Sequence, residues 1–104
     1  MTEEDDEPPV VVRTPAGVLE VDGRTASLDG EPLPLSPVPL ALLQLLSRSP
    51  GEVVDRQRLL ATMPAASDLH AVEVAVARLR TGIGRPGVVE TVVKRGYRLA
   101  VVDR

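Results

Sequence analysis

Two Asp-Gly pairs, Asp22-Gly23 and Asp29-Gly30, divide the first third of the chain into short apolar segments. Asp-Gly is a strong hairpin signal, because a tight type I′ turn needs positive φ at both central residues. The apolar segments between residues 10 and 35 therefore predict a small antiparallel sheet of three or four short strands. Pro32 and Pro34 restrict the last of these strands to an edge of the sheet, since proline cannot donate to a strand ladder.

Three helical segments follow the predicted sheet. Ser36-Pro37 is typical of a helix start, with Ser as the N-cap and Pro at the first helical position. The leucine-rich segment behind this start predicts a largely buried helix that ends near Ser49.

Two further helices are predicted after a short extended piece at Val53-Val54. Asp55 caps the second helix, and Pro64 is expected to end it. Asp68 caps the third, which is expected over residues 68–82 and to end at a glycine, Gly82 or Gly84.

The third predicted helix has two different faces when its residues are placed at 100° per residue. One face is apolar and is expected to enter the core: Leu69, Val72, Val76 and Leu79. The opposite face is expected to lie in solvent: His70, Ala71, Val74, Ala77, Arg78 and Thr81. Arg80 lies near the core side, so we expect its stem to pack and its guanidinium to pair with a carboxylate or touch phosphate. Glu73 lies on the same flank and is expected to be a structural partner.

The last part of the chain predicts a β-hairpin. VVETVV (residues 88–93) and YRLAVV (residues 97–102) flank Lys94-Arg95-Gly96, which would form a basic tip. Tyr97 is the one aromatic residue of the chain. We expect it in the core, because it begins a strand that runs back toward the sheet.

Charge is distributed unevenly along the sequence. The net charge is −3, but residues 1–47 hold 2 basic and 9 acidic side chains, whereas residues 48–104 hold 10 basic and 6 acidic ones. The net charges of the two parts are therefore −7 and +4. A basic surface in the C-terminal half would account for this split, as would arginines scattered over solvated faces.

The residue types exclude several kinds of site. The chain has no Cys and one His, so neither a disulfide framework nor a metal site built from thiolates or several imidazoles can form. It has no Ser-His-acid spacing and no glycine-rich phosphate loop, and we predict no catalytic centre, no metal and no cofactor. No apolar segment approaches the roughly 20 residues that a transmembrane helix needs. We therefore expect no membrane contact and a cytoplasmic location.

The N-terminal segment differs from the rest in composition. Residues 1–9, MTEEDDEPP, are acidic and end in Pro-Pro. Such a segment buries too little apolar area to offset the entropy of ordering, so we expect a disordered linker or tail. Residues 10–104 are expected to form one folded domain.

Three segments together resemble a known family: GEVVDRQRLL (residues 51–60), VEVAVARLR (residues 72–80) and TVVKRGYRL (residues 91–99). In order and spacing they are similar to OmpR/PhoB-type effector domains, and the resemblance covers residues 10–102. It implies an α+β winged helix-turn-helix with an N-terminal antiparallel sheet, three helices and a C-terminal β-hairpin wing. It further implies transcription regulation through double-stranded DNA, with a recognition helix at 68–82 in the major groove. The wing, residues 94–98, would contact phosphate or the minor groove.

A narrower resemblance rests on SPVPLALLQLL, DLHAVEVAVARLR and TVVKRGYRLA. These segments are similar to the winged-helix domain that some bacteria append to uroporphyrinogen-III synthase, an enzyme of tetrapyrrole biosynthesis. The resemblance implies an upstream enzyme or receiver domain in the same polypeptide, none of whose chemistry lies in this chain. Residues 64–67 lack the aromatic and charged side chains found in many members at this position, which argues against an RNA polymerase contact there.

The residues expected to contact DNA lie on the third helix and the wing: His70, Val74, Ala77, Arg78, Thr81, Lys94, Arg95 and Arg98. The planar fork of Arg78 matches the two acceptors of guanine, and Val74 can meet a thymine methyl group. The adjacent cations Lys94 and Arg95 are expected on phosphate, as is His70 at the wall of the groove.

The same fold could instead serve as a docking module for another protein, such as its own upstream domain. The acidic N-terminal half and the alanines on the exposed face of the third helix favour this alternative. The two functions differ in salt dependence, because binding to duplex DNA weakens steeply as salt rises.

Overall fold

The computed structural model describes residues 8–63 and 68–102. Within them the strands are β1 (Val10–Thr14), β2 (Gly17–Val21), β3 (Ala26–Leu28), β4 (Glu31–Pro32), β5 (Val89–Val92) and β6 (Gly96–Leu99). The helices are α1 (Pro37–Ser47), α2 (Arg56–Leu60) and α3 (Leu69–Ile83). The order of elements confirms the α+β fold class. The predicted tail falls mostly on residues 1–7, which lie outside the described residues.

Strands β1 to β4 form an antiparallel sheet in sequence order, as predicted. Its inner face is mainly apolar, and its outer face mixes charged side chains with two exposed valines, because neighbouring residues of a strand point to opposite sides. Val12, Leu19 and Leu28 are buried on the inner face. Asp29 and Gly30 have φ values of 52° and 84°, and they join β3 to β4 as the two-residue turn that the sequence predicted.

The other Asp-Gly pair lies in the predicted hairpin, between β2 and β3, but the connection is longer than the expected type I′ turn. Four residues separate Val21 from its partner Ala26, and Gly23 does not have a positive φ. The carboxylate of Asp22 organises this connection by accepting hydrogen bonds from the backbone N–H groups of Arg24, at 2.8 Å, and Thr25, at 2.7 Å. These backbone hydrogen bonds lower the pKa of Asp22.

Helix α1 begins at Pro37, as predicted, but Ser36 occupies the N-cap position without a side-chain capping hydrogen bond. A capping oxygen accepts from the N–H of the second or third helical residue, and the third residue here is Pro39, which has no N–H. The helix buries Leu42, Leu43 and Leu46 completely. The largest part of the core therefore comes from leucine, as a chain with a single aromatic residue requires.

Aspartate caps begin the other two helices. Asp55 accepts a hydrogen bond from the N–H of Arg58 at 2.9 Å, and Asp68 accepts one from the N–H of Ala71 at 3.2 Å. Helix α2 is shorter than expected, with Leu60 as its last residue. The proline expected to end it, in the segment 64–67, lies outside the described residues.

Helix α3 ends at Gly84, whose φ of 77° gives the left-handed C-cap that glycine favours. The buried side chains of α3 are Val72, Ala75, Val76, Leu79 and Ile83. Leu69 was expected among them, but its residue is 36% exposed. Burial of Ala75 moves the centre of the buried face away from Leu69, which is the first residue of the helix.

The loop that follows α3 is tied to the N-terminal sheet by one ion pair. The Arg85 guanidinium donates to the carbonyl oxygen of Ala16 and to a carboxylate oxygen of Asp29, both at 2.9 Å. The other carboxylate oxygen of Asp29 accepts from the backbone N–H of Val18 at 2.8 Å. The hydrogen bond from Val18 and then that from Arg85 lower the pKa of Asp29.

We predict that Asp29→Asn lowers the melting temperature at neutral pH and that this effect disappears in acid. Because the pKa of Asp29 is lowered on folding, its carboxylate stabilises the fold above the ordinary aspartate pKa, and that contribution is lost as pH falls through the lowered value. Thermal unfolding of both proteins across a pH series checks this. Glu31→Gln, which removes an exposed carboxylate from β4, is the control. A difference between wild type and Asp29→Asn that is the same at every pH would contradict the prediction.

Candidate nucleic-acid interface

Helix α3 presents one continuous exposed face. Five of the residues expected to contact DNA lie on it, and all are exposed: His70, Val74, Ala77, Arg78 and Thr81. The opposite side of the helix is buried against α1 and α2. Ala71, which was also expected in solvent, is half-buried. The structure therefore brings the helical part of the predicted site together on one surface.

Arg78 and Val74 are neighbours on this face, because residues four apart lie on successive turns of a helix. Val74 is 37% exposed, although it lies on a helix with an ample buried face of its own. Within the described residues, the Arg78 guanidinium makes no hydrogen bond or salt bridge. Its donors are available to a ligand that packs against this face of the helix.

His70 lies near the N-terminal end of the exposed face, beside Glu73. The His70 Nδ1 atom is 3.6 Å from a carboxylate oxygen of Glu73, and the two side chains are 78% and 56% exposed. This exposed contact is longer than a hydrogen bond, so the structural role expected for Glu73 stays a prediction. The carboxylate makes this end of the helix less positive than the end that carries Arg78.

The wing, defined as strands β5 and β6 with the turn between them, has a basic tip. Val92 pairs with Gly96, so the turn consists of Val93, Lys94 and Arg95, and all three are exposed. The N–H of Arg95 donates to the carbonyl of Val92 at 2.9 Å. Lys94 and Arg95 therefore lie at the tip, as the sequence predicted.

The second half of the predicted contact segment, residues 96–98, is less accessible than the tip. Gly96 and Tyr97 are buried in β6, and Tyr97 is only 4% exposed, which confirms its assignment to the core. Arg98 is exposed, but its Nε donates to Glu90 on the neighbouring strand at 2.7 Å. This cross-strand pair leaves Arg98 less available to DNA than the two cations of the tip.

The base of the wing is joined to the segment before α2. Val54 and Tyr97 exchange two backbone hydrogen bonds, at 2.8 and 3.1 Å, which confirms the short extended piece predicted at this position. A side chain at Gly96 would collide with the carbonyl oxygen of Val54, and Gly96 has a φ of 148°. Only glycine fits this close approach without strain.

Arg80 was expected to pair with a carboxylate or touch phosphate, but in the structure it binds acceptors on β5. Its Nε and Nη2 atoms donate to the carbonyl oxygen of Val89, at 3.2 and 2.9 Å, and Nη2 also donates to Thr91 Oγ1 at 2.9 Å. The expected carboxylate partner was therefore wrong. The alternation of β5 places Val89 and Thr91 on one face, but no sequence signal showed that Arg80 would reach them.

The described residues contain no group of three metal-binding side chains. Over the same residues, no helix is long and apolar enough to cross a membrane. The features that α3 and the wing share are exposed cations and hydrogen-bond donors. A long polyanion that carries hydrogen-bond acceptors along its length fits such a surface better than a small substrate does.

The sheet, three helices and hairpin define a winged helix-turn-helix domain. Residues 30–99 match the protein family described as "Transcriptional regulatory protein, C terminal", and the chain belongs to this family. It is 37% identical over 99 residues to the transcriptional regulatory protein CutR of Streptomyces coelicolor. That alignment covers 88% of this chain but 43% of CutR. The chain therefore spans less than half of the length of this relative.

Solved structures of DNA-binding domains share the fold. The DNA-binding domain of CpxR from Escherichia coli superposes with a TM-score of 0.75 at 29% identity, covering 93% of this chain and 100% of that domain. The RstA DNA-binding domain of Klebsiella pneumoniae, solved in complex with the RstA box, gives a TM-score of 0.70 at 28% identity. It covers 86% of this chain and 96% of that domain. These findings confirm the OmpR/PhoB-type resemblance, and the relatives are transcriptional regulators rather than enzymes.

We predict that Gly96→Ala destabilises the fold by more than about 1 kcal/mol, because the new methyl group needs an unfavourable φ and overlaps the Val54 carbonyl. Gly23→Ala is the matched control, since a Cβ at Gly23 meets nothing within 4 Å. It should be neutral or stabilise by up to about 1 kcal/mol through the unfolded state. Urea unfolding of the three proteins measures both effects. Equal stabilities of the two variants would show that the wing does not pack closely on Val54.

Proposed function

We propose that this domain binds double-stranded DNA, with the exposed face of α3 in the major groove and the wing tip on the phosphate backbone or in the adjacent minor groove. The observation that carries the proposal is the exposed guanidinium of Arg78 beside the exposed Val74, on a helix whose other side is buried. The B-DNA major groove is wide enough to admit one α-helix.

The α3 face offers two complementary ways to read a base edge. Arginine donates two parallel hydrogen bonds to O6 and N7 of guanine, while an apolar side chain one turn away can pack on a thymine methyl group. The remaining exposed residues, Ala77 and Thr81, add little polar readout and let the helix approach the bases closely. We infer that Arg78 supplies most of the sequence discrimination and that Val74 adds to it.

The wing tip supplies affinity that is independent of sequence. Lys94 and Arg95 lie in an exposed turn, where their flexible side chains can reach phosphate oxygens without rearranging the hairpin. Each cation that neutralises a phosphate adds close to one unit to the slope of log affinity against log salt. His70 and Arg98 are proposed as weaker contacts, because each lies beside a carboxylate.

We propose further that the domain regulates transcription as part of a longer protein. Two findings support a longer protein in which another domain controls this one. The relatives are named as transcriptional regulators, and the chain covers only 43% of CutR. A receiver domain and a uroporphyrinogen-III synthase are the two candidates from the sequence, and the synthase fusion stays a prediction. The alternative of a docking module without DNA binding is not favoured, since the neighbours in fold are DNA-binding domains.

We predict that Arg78→Ala costs about 1–3 kcal/mol on the preferred site and much less on random duplex DNA. The preferred site is obtained by selection from a pool of random duplexes with the wild-type protein. Arg78→Lys should rescue binding only in part, because a point charge lacks the planar fork that guanine requires. The ratio of specific to non-specific affinity is the quantity to measure.

The matched control is Arg24→Ala, which removes an exposed arginine from the connection between β2 and β3. It removes the same charge from the whole protein and should leave the affinity ratio unchanged. Equal losses on specific and random DNA with Arg78→Ala would make Arg78 a phosphate contact. A wild-type protein that selects no duplex, and whose weak binding does not depend on salt, would contradict the proposed function itself.

A further inference from the structure

Arg80 joins the last turn of α3 to the first strand of the wing. Its guanidinium spans two acceptors on β5, the carbonyl oxygen of Val89 and the hydroxyl of Thr91, through three hydrogen bonds of 2.9 to 3.2 Å. Two of these bonds go to the carbonyl of Val89, which is buried and is the first residue of β5. A planar fork with fixed donors restrains both the distance and the angle between two elements, which a single flexible charge cannot do.

The ring of Tyr97 extends this junction to the rest of the helix-turn-helix. The Arg80 guanidinium carbon lies 5.9 Å from the ring centroid, and that of Arg56, at the start of α2, lies 5.2 Å from it. Both distances are within the range of cation–π attraction. Tyr97 is itself fixed by its backbone bonds to Val54. Helices α2 and α3 therefore meet both strands of the wing around one buried ring.

We propose that Arg80 is a positioning residue that sets the placement of the wing tip relative to the reading face of α3. Arg80 lies two residues after Arg78, so one short stretch of helix carries both the base-reading side chain and the link to the wing. The link holds Lys94 and Arg95 where they can bind phosphate while Arg78 is in the groove. This inference rests on the proposed function and adds a residue that acts on DNA through another part of the protein.

The competing role for Arg80 is a direct phosphate contact, which its charge and exposure also allow. The geometry favours positioning, because Nε and Nη2 already donate to β5 and only Nη1 retains unused donors. A direct contact would need little more than a positive charge. A positioning role depends on the planar guanidinium and on its Thr91 acceptor, and it affects DNA binding only while Lys94 and Arg95 are present. These requirements separate the two roles experimentally.

The test is a double-mutant cycle between Arg80→Gln and the paired wing substitution Lys94→Ala with Arg95→Ala, read out as affinity for the selected duplex. Arg80→Gln alone should weaken binding by roughly 3- to 100-fold, the range expected for coupled residues. In the protein without wing cations, the same substitution should cost less than about twofold, because the wing no longer contributes. An equal cost in both proteins, or no cost in the wild type, would overturn the proposal.

Two further, more conservative variants test the same role with less risk of unfolding the domain. Thr91→Val retains the Arg80 charge and suits a strand, yet it removes one acceptor of the fork, so it should weaken DNA binding in the same wing-dependent way. Arg80→Lys should behave like Arg80→Gln, because lysine keeps the charge and loses the fork. Full binding by either variant would make Arg80 a phosphate contact and overturn the proposal.

Hydrogen exchange of the free protein separates this inference from the proposed function. Without DNA, Arg80→Gln should accelerate exchange of the backbone N–H groups of β5 and β6 by several-fold and leave those of β1 to β3 unchanged. Arg24→Gln is the matched control and should change neither set. Unchanged exchange in the wing would overturn the role of Arg80 even if the domain binds DNA. A wild-type protein that does not bind DNA would contradict the proposed function, whatever the exchange result.

Discussion

Burial of one side of α3 is the contact on which the rest of the structure depends. Val72, Val76 and Leu79 are almost completely buried, and α3 packs on both α1 and α2 through this side. Fully burying each such side chain contributes about 1.5–3 kcal/mol, so the helix cannot rotate without losing much of the core. The opposite face, with Arg78 and Val74, is held in a fixed orientation as a consequence.

Local patterns predicted the fold and the helical half of the candidate site. The Asp29-Gly30 turn, the aspartate caps of α2 and α3 and the glycine end of α3 depend on neighbouring residues, and the structure confirms each of them. The exposed face of α3 followed from helical periodicity alone, since residues that share a face recur at fixed spacing. The wing tip followed from two cations between β-branched segments.

Features that depend on contacts between distant segments were missed. The partners of Arg80 lie 9 and 11 residues further along the chain, and the partner of Arg85 lies 56 residues away, so no local pattern indicates them. Ser36 makes no side-chain cap, and its neighbour Pro39 removes one of the two N–H groups that could donate to it. At Asp22-Gly23 the carboxylate found backbone N–H groups within its own loop, and these hydrogen bonds stabilised a longer connection than the two-residue turn.

The central claim is that α3 and the wing tip contact DNA as one surface. Titrating a short selected duplex into isotope-labelled protein, with amide chemical shifts as the readout, tests this most directly. The account predicts that the largest shifts cluster in residues 70–81 and 93–95, while the amides of β1 to β4 move little. Shifts concentrated on the N-terminal sheet, with α3 and the wing unchanged, would contradict it.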